Sequence, residues 1–137
     1  MLSSNLHSRF LPKTGFDLRS KVHVGDTFTV TKTVEKKNTY NPTHNPDDNV
    51  LSTPQMIDMI EYTCYHDLEK RLPPHYSTVG FYVDITHKKP VPIGSKVKIT
   101  AEVADVSAKK TTFKTNVFCG DELVGSGTHK RAVIQFK

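Results

Sequence analysis

The sequence predicts an α+β domain in which an antiparallel sheet packs against one long helix. Residues 52–72 place apolar side chains at helical spacing, and the chain after them alternates apolar and polar residues as strands do. Short connections join these predicted strands, which favours antiparallel neighbours. A single helix against an antiparallel sheet is an α+β arrangement.

The chain has 137 residues, enough for one domain that buries about two-thirds of its unfolded surface. Residues 1–20 are polar with scattered apolar positions, and we interpret them as an N-terminal arm. The domain is predicted to span residues 21–137, because this stretch contains no repeat and no low-complexity linker.

The domain is predicted to begin with a strand and a long loop. Threonines and other polar residues separate Val24, Phe28 and Val30 in the stretch HVGDTFTVTKTV, a pattern typical of a strand. Residues 36–49 (KKNTYNPTHNPDDN) are rich in Asn, Pro, Asp and Thr, which indicates a loop.

The long helix is predicted to have Ser52 or Thr53 as its cap and to end before Pro73–Pro74. Pro54 suits the first helical position, where its missing N–H would have no partner anyway. A broad apolar band follows, and Asp58 and Glu61 interrupt it. The band consists of Met56, Ile57, Met59, Ile60, Cys64 and Leu68.

Strand patterns fill the rest of the chain. They cover residues 78–87, 96–106, 111–119 and 122–136. Alternation predicts that Val79, Phe81, Val83 and Ile85 lie on one side of the first of these strands. The sequence GSG at Gly125–Gly127 indicates a bulge or a close backbone approach rather than a phosphate loop.

The net charge of +5 raises the question of an anionic partner. The lysines form isolated doublets, which indicates either solvated strand ends or a site for a polyanionic small molecule such as a nucleotide or coenzyme A. These doublets are Lys36–Lys37, Lys88–Lys89 and Lys109–Lys110. Aromatic residues are not interleaved with basic ones as in single-strand binders, so we expect no nucleic-acid partner.

Hydropathy and cysteine content indicate a cytoplasmic protein without a membrane partner. No apolar run approaches the roughly 20 residues of a membrane span, and the N-terminal stretch has no continuous apolar segment of a secretory signal. Cys64 and Cys119 lack CxxC spacing, so we interpret them as two buried thiols rather than a disulfide or a metal pair.

Thr53, Glu61 and His87 combine an alcohol, a carboxylate and an imidazole, the groups needed to activate a nucleophile or move a proton. Each also has a simpler interpretation. Thr53 fits a helix cap, Glu61 fits a solvent-exposed helix carboxylate, and His87 fits a surface residue at a strand end. A partly dry site would instead raise the pKa of Glu61 and make it a better proton acceptor.

The sequence predicts neither a metal site nor a cofactor. The other histidines, including His44, His66, His75 and His129, are dispersed without the spacing of metal ligands. Motifs of the GxSxG, P-loop and GxGxxG types do not occur.

Four segments resemble the fluoroacetyl-CoA thioesterase family, a branch of the hotdog-fold thioesterases. They are LSTPQMIDMIEYTC, STVGFYVDITHKKPVPIG, VKITAEVADV and ELVGSGTHKRAVI. Thr53 and Glu61 are eight residues apart, Glu61 and His87 are twenty-six apart, and Gly80 lies seven before His87. The resemblance runs from about Asn49 to the C-terminus and implies a hotdog fold, in which the antiparallel sheet wraps around the central helix.

The resemblance also implies a function and a site. The protein would be an acyl-CoA thioesterase acting on a small or medium acyl-CoA, with Thr53, Glu61 and His87 as its catalytic set. Gly80 would lie close to the acyl group, and His129 and Arg131 would contact coenzyme A. Because hotdog domains generally join their sheets in pairs, the resemblance further implies a homodimer.

Two other functions stay open on the same fold. One is a non-catalytic module that binds acyl-CoA or another ligand, and the other is an enoyl-CoA hydratase, which would need an Asp/His pair placed differently. The stretch NPTHNPDDNV before Thr53 has no aromatic residue, and Tyr40 lies upstream of it. It therefore lacks the aromatic lid of the best-known family member, so the resemblance does not specify which acyl group the protein accepts.

Overall fold

A computed structural model of the chain describes residues 15–137. In chain order its regular elements are β1 (Thr27–Thr33), β2 (Thr39–Tyr40), β3 (Val50–Leu51), α1 (Thr53–Glu69), β4 (Tyr76–His87), β5 (Lys96–Val106), β6 (Lys110–Cys119) and β7 (Glu122–Gln135). Residues 1–14 of the predicted N-terminal arm lie outside the described residues. Leu18, within the predicted arm, is fully buried in the core.

Five strands form one antiparallel sheet in the order β1-β5-β6-β7-β4. Helix α1 packs against one face of this sheet and contacts all five strands. Apolar residues of α1, including Met56, Ile60 and Leu68, meet Ile99 and Phe113 of the sheet in one buried core. The structure thus has the predicted α+β arrangement, with the helix lying across the sheet.

Ser52, rather than Thr53, caps α1. The Ser52 hydroxyl accepts a hydrogen bond from the Gln55 backbone N–H at 3.3 Å, and Pro54 lies in the first turn. Thr53 is the first helical residue, so the interpretation of Thr53 as the cap is wrong. One capping hydroxyl suffices at this end, which leaves the Thr53 side chain available for other contacts.

The loop predicted for residues 36–49 contains short regular pieces. Two 3-10 turns, Lys36–Asn38 and Pro46–Asp48, flank the segment that holds β2. Strands β2 and β3 form a two-residue antiparallel ladder in which Tyr40 pairs with Val50. This ladder folds the loop back on itself and brings Tyr40 next to the start of α1.

A β-bulge divides β4, and it corrects the predicted pattern of its faces. Gly80 pairs with Arg131 and Tyr82 pairs with Lys130, so Phe81 has no partner on β7. The extra residue moves the helix-facing positions from even to odd numbers along the strand. Val79, which pairs with Ala132, therefore lies on the outer face, whereas Val83 pairs with the buried His129 on the face of α1. Phe81 is the unpaired residue of the bulge and is half exposed.

The bulge has a consequence for the predicted site. Gly80 has an even number and His87 an odd one, so an unbroken strand would direct them to opposite faces. With one residue inserted between them, both face α1. The structure thereby brings to one side two positions that simple alternation would separate.

The glycines of the GSG run allow close approaches, as predicted. A Cβ on Gly127 would collide with the carbonyl oxygen of Asp84 on the neighbouring strand. A Cβ on Gly125 would lie 2.5 Å from the Met56 sulfur on α1.

In residues 15–137 no helix is long and apolar enough to cross a membrane.

Candidate active site

Thr53 and His87 form a hydrogen-bonded pair at the start of α1. The Thr53 hydroxyl lies 2.9 Å from Nδ1 of His87. Thr53 occupies the first turn of the helix, where free backbone N–H groups and the positive end of the helix dipole favour negative charge. The pair therefore combines an alcohol, a base able to take its proton, and a local field that stabilises an oxyanion.

The other ring nitrogen of His87 is buried, and no group in residues 15–137 makes a hydrogen bond to it. A buried polar atom of this kind normally has a partner. Nε2 is thus available to a group from outside the described chain, such as a substrate, a water molecule or a residue of a second subunit.

A cavity of about 280 Å³ opens beside this pair. Its lining includes Thr53, His87 and the doublet Lys88–Lys89, together with Tyr40. Tyr40 was not among the predicted site residues, because it lies thirteen positions before Thr53. Only the β2–β3 ladder brings it here, and no pattern in the sequence signalled that pairing.

Glu61 lies apart from Thr53 and His87 within one chain. Eight residues along a helix correspond to about 12 Å of rise. The carboxylate is part-exposed at 40% and lies 4.0 Å from Nη1 of Arg131. The structure therefore unites two of the three predicted catalytic residues and places the third in a separate group.

Gly80 lies against this second group of side chains. A Cβ there would lie 3.0 Å from Oε2 of Glu61, 2.9 Å from Cε1 of His129 and 3.1 Å from Nη1 of Arg131. Three polar side chains thus converge on Gly80 and leave no room for a Cβ, which is the physical reason for a glycine there.

His129 and Arg131 are buried inside the domain, 0% and 7% exposed. Nη1 of Arg131 lies 3.2 Å from Nε2 of His129, and Nδ1 of His129 lies 2.9 Å from the Tyr82 carbonyl oxygen. Arginine can only donate, so Nε2 accepts and Nδ1 carries the proton. Burial lowers the pKa of His129 below its ordinary 6.5, and the Arg131 charge lowers it further.

A larger cavity, about 560 Å³, adjoins Glu61 and Arg131. Its lining is mostly polar and aromatic, with Lys32 and Lys37 on one side and Tyr62 and Tyr65 on the helix. Lys32 lies over the ring of Tyr62 at 4.6 Å. Glu35 and Asp58 also line it, so its cations are balanced by carboxylates, and the cavity suits a polar ligand better than a long apolar chain.

Cys64 is unsuited to act as a nucleophile, although it lies close to this group. The side chain is fully buried, and burial raises the pKa of its thiol to about 12. A thiol at that pKa is almost entirely protonated at neutral pH. Cys64 and Cys119 are both free, as predicted, although Cys119 is only partly buried.

Comparison with known proteins identifies the family. The family model described as fluoroacetyl-CoA-specific thioesterase matches residues 30–137. The chain belongs to the fluoroacetyl-CoA-specific thioesterase family. The match covers every residue of the site described above, as well as β4 and its bulge.

One curated relative is the fluoroacetyl-CoA thioesterase of Streptantibioticus cattleyicolor, 31% identical over 88 residues. The alignment covers 64% of this chain and 63% of the relative, so it spans less than two-thirds of that protein. A solved structure of the fluoroacetyl-CoA thioesterase FlK has a TM-score of 0.75 at 28% identity, covering 83% of this chain and 89% of that chain.

A third similarity concerns the fold. A hot-dog-like protein from Thermanaerovibrio acidaminovorans has a TM-score of 0.78 at 19% identity, covering 87% of this chain and 88% of that chain. Together with the FlK structure, it confirms the predicted hotdog fold.

Residues 15–137 contain no group of three or more His, Cys, Asp or Glu side chains placed to hold a metal ion.

Proposed function

We propose that the protein is an acyl-CoA thioesterase, which hydrolyses a small or medium acyl-CoA to a free acid and coenzyme A. The observation that carries the proposal is the 2.9 Å contact between Thr53 and His87 at the start of α1, in a chain of this family. A hydroxyl, a base and a helix N-terminus are the elements that acyl transfer requires.

His87 acts as the proton carrier in this mechanism. With Nδ1 unprotonated, the ring can take the Thr53 proton while the Thr53 oxygen takes a proton from the water molecule that attacks the carbonyl. The backbone N–H groups of the first turn of α1 then stabilise the oxyanion that forms on the thioester carbonyl. Proton transfer back from the imidazole releases the thiolate of coenzyme A as a thiol.

Glu61 supplies the carboxylate of the reaction. Its Oε2 faces Gly80, which keeps the space in front of the carboxylate free of a side chain. From this position Glu61 either activates the attacking water molecule, or attacks the thioester carbonyl itself to form an acyl-enzyme anhydride, which a water molecule then hydrolyses to the free acid. Arg131 lines the cavity beside Glu61 and can contact the thioester end of coenzyme A, whereas His129 is fully buried behind it.

Hydrolysis of short and medium acyl-CoAs, followed by free-thiol detection, tests the proposal. We expect kcat/KM to fall at least tenfold, about 1.4 kcal/mol, in Glu61→Ala and in His87→Ala. Asp67→Ala is the matched control, because Asp67 is another carboxylate of α1 and lies outside both cavities. Unchanged rates in both folded site variants would end the assignment.

A binding module on the same fold gives a different result. Strong thermal stabilisation by acyl-CoA without any release of thiol would show that the protein binds the ligand and does not hydrolyse it. The stability shift and the thiol assay on one sample separate these two functions.

We also propose that the protein acts as a homodimer. Strand β4 is at the edge of the sheet, and four of its apolar side chains are 42–50% exposed: Val79, Phe81, Tyr82 and Val83. Long exposed apolar edges favour pairing with another chain. The site itself supports a second copy, because Glu61 is separated from Thr53 and His87 within one chain.

The two parts of the site lie towards opposite ends of this edge. Gly80, with Glu61 against it, lies seven residues before His87. Antiparallel pairing of two β4 strands about Asp84 would place the Gly80–Phe81 bulge of one copy opposite His87 of the other, about 5 Å apart. Glu61 of one subunit would then approach the Thr53–His87 pair of its partner and the free Nε2 of His87.

The acyl group is proposed to be small or medium and not restricted to fluoroacetyl. Residues 41–50 contain no aromatic side chain, whereas Tyr40 lines the cavity beside Thr53.

Two free cysteines support a reducing compartment, so we place the protein in the cytoplasm. Fractionation of cells that contain the full chain tests that location.

A further inference from the structure

A continuous chain of buried hydrogen bonds spans the bulge in β4. It begins at Thr78, before the bulge, and its members are 0–7% exposed apart from Tyr82. Nε of Arg131 donates to the Thr78 hydroxyl at 2.8 Å, and Nη2 donates to the Thr78 carbonyl oxygen at 3.0 Å. Nη1 then reaches Nε2 of His129, whose Nδ1 donates to the Tyr82 carbonyl oxygen after the bulge.

Each bond in this chain fixes the direction of the next. Two contacts to Thr78 hold the guanidinium plane, because the fork of arginine donors is rigid. The held plane directs Nη1 towards His129 and towards Glu61, whose Oε2 is 4.0 Å away. Because arginine has no acceptor, it also fixes the tautomer in which His129 donates to Tyr82.

The bulge decides whether the two parts of the site share a face. Before it, Gly80 faces Glu61, and after it, His87 faces Thr53. If the bulge were lost, the later half of β4 would turn over and His87 would face away from α1. The ladder between β4 and β7 is interrupted at the bulge itself, because Phe81 has no partner there.

We propose that Thr78 and His129 are positioning residues. Together with Arg131 they form a clamp, the hydrogen-bond chain from Thr78 to the Tyr82 carbonyl, which holds the β4 bulge and so keeps Glu61, Gly80 and His87 in their relative positions. The effect on turnover rests on the proposed thioesterase function. Neither residue needs to touch the reacting atoms. Thr78 acts by orienting Arg131, and His129 acts by tying Arg131 to the Tyr82 carbonyl.

Thr78→Val tests the clamp, because it keeps the shape of the side chain and removes the hydroxyl that accepts from Nε of Arg131, while the Thr78 carbonyl remains. We expect kcat to fall about tenfold with KM changed less than about twofold, since misplaced catalytic groups slow the chemical step. Thr78→Ser restores the hydroxyl and is expected to recover most of the lost kcat. Thr115→Val is the matched control, because it removes another buried hydroxyl whose bond to the Gly127 carbonyl lies outside the clamp.

Two variants of His129 separate the two halves of the clamp. Asparagine places a donor where Nδ1 lies and keeps the Tyr82 bond, whereas glutamine reaches the position of Nε2 and keeps the Arg131 bond. If the clamp requires both bonds, His129→Asn and His129→Gln each lower kcat by a similar factor. Full activity in both variants would remove His129 from the proposal.

Hydrogen exchange gives a readout that does not depend on turnover. Amides of residues 81–87 are expected to exchange at least about tenfold faster in Thr78→Val than in the wild type or in Thr115→Val. Unchanged exchange with unchanged kcat overturns the proposal. A lower melting temperature with unchanged kcat and unchanged exchange in β4 also overturns it, because it shows general stabilisation only.

The two proposals fail in different ways. If the wild type releases no thiol from any acyl-CoA, the thioesterase function fails, and exchange in β4 still decides whether the clamp exists. If the wild type is active and Thr78→Val matches it in both kcat and exchange, the clamp fails and the thioesterase function stands.

Discussion

At the residue scale, the polar side chains of this protein derive their roles from their neighbours. Thr53 would be an ordinary first-turn residue without His87, whose Nδ1 lies 2.9 Å from the Thr53 hydroxyl. Arg131 is a buried cation whose donors point to Thr78 and His129. Burial lowers the pKa of Arg131, and nearby groups that include Glu61 oppose this effect. A charge so enclosed is held by several fixed partners, which favours a structural use over contact with solvent.

His129 predicts a dependence of stability on pH. Its folded pKa is below the ordinary 6.5, so below that pH the unfolded chain binds a proton that the folded protein excludes. The contribution of His129 to the free energy of unfolding is therefore fully present above about pH 6.5. It is lost as the pH drops towards the folded pKa, by up to about 1.4 kcal/mol per pH unit. Protonation would also add a donor at Nε2, facing the donor of Arg131.

Urea unfolding between pH 7.5 and 5 measures this effect. In His129→Gln we expect a shallower loss of stability than in the wild type over that range, because the buried imidazole is gone. His66→Gln is the control, since it removes a histidine on α1 that is less buried. Equal slopes in the wild type and His129→Gln would show that His129 does not resist protonation.

At the element scale, the register of β4 and β7 organises the site. The bulge turns the later half of β4, and the two strands approach closely at Gly127, which pairs with Ile85. Two features of one strand pair thus fix where His87 and Gly80 lie relative to α1.

Gly127→Ala is expected to destabilise the protein by roughly 1–3 kcal/mol, because the added Cβ meets the Asp84 backbone rather than a flexible side chain. Thermal or urea unfolding measures the change. Gly120→Ala is a useful comparison: its Cβ would meet nothing within 4 Å, so any cost there comes from the positive φ of 61° alone. A neutral Gly127→Ala would mean that the strands move apart without cost.

At the scale of the whole molecule, the proposed shared site predicts complementation between inactive chains. Neither Glu61→Ala nor His87→Ala alone is expected to hydrolyse acyl-CoA efficiently. Co-refolded in equal amounts, they form mixed dimers in which one of the two sites is intact, and activity returns to about a quarter of the wild type. Thiol release before and after co-refolding measures the recovery.

The opposite arrangement predicts no recovery. If each site uses Thr53, Glu61 and His87 of one chain, every site in the mixture carries a substitution, and activity stays at the level of the separate variants. Sedimentation of the wild type supplies the independent measurement of oligomeric state.

Much of the fold followed from local patterns. The periodicity of residues 52–72 predicted α1, and the alternation after it predicted four strands within a few residues of their observed bounds. Both patterns reflect side chains that alternate between core and solvent at the period of each element. The faces of β4 could not be predicted in this way, because one unpaired residue at Phe81 reverses the pattern without changing the composition.

The sequence by itself determined the α+β fold, the helix and its boundaries, the close approach at the GSG run and the chemistry of the residues that resemble the family. The tertiary structure decided which of those residues meet. It united Thr53 with His87, kept Glu61 apart beside Gly80 and Arg131, and brought Tyr40 to the cavity through a two-residue ladder. The physical reason is that periodicity reports which face a side chain occupies within its own element, whereas contacts between elements depend on register, and register here rests on a bulge and a buried hydrogen-bond chain.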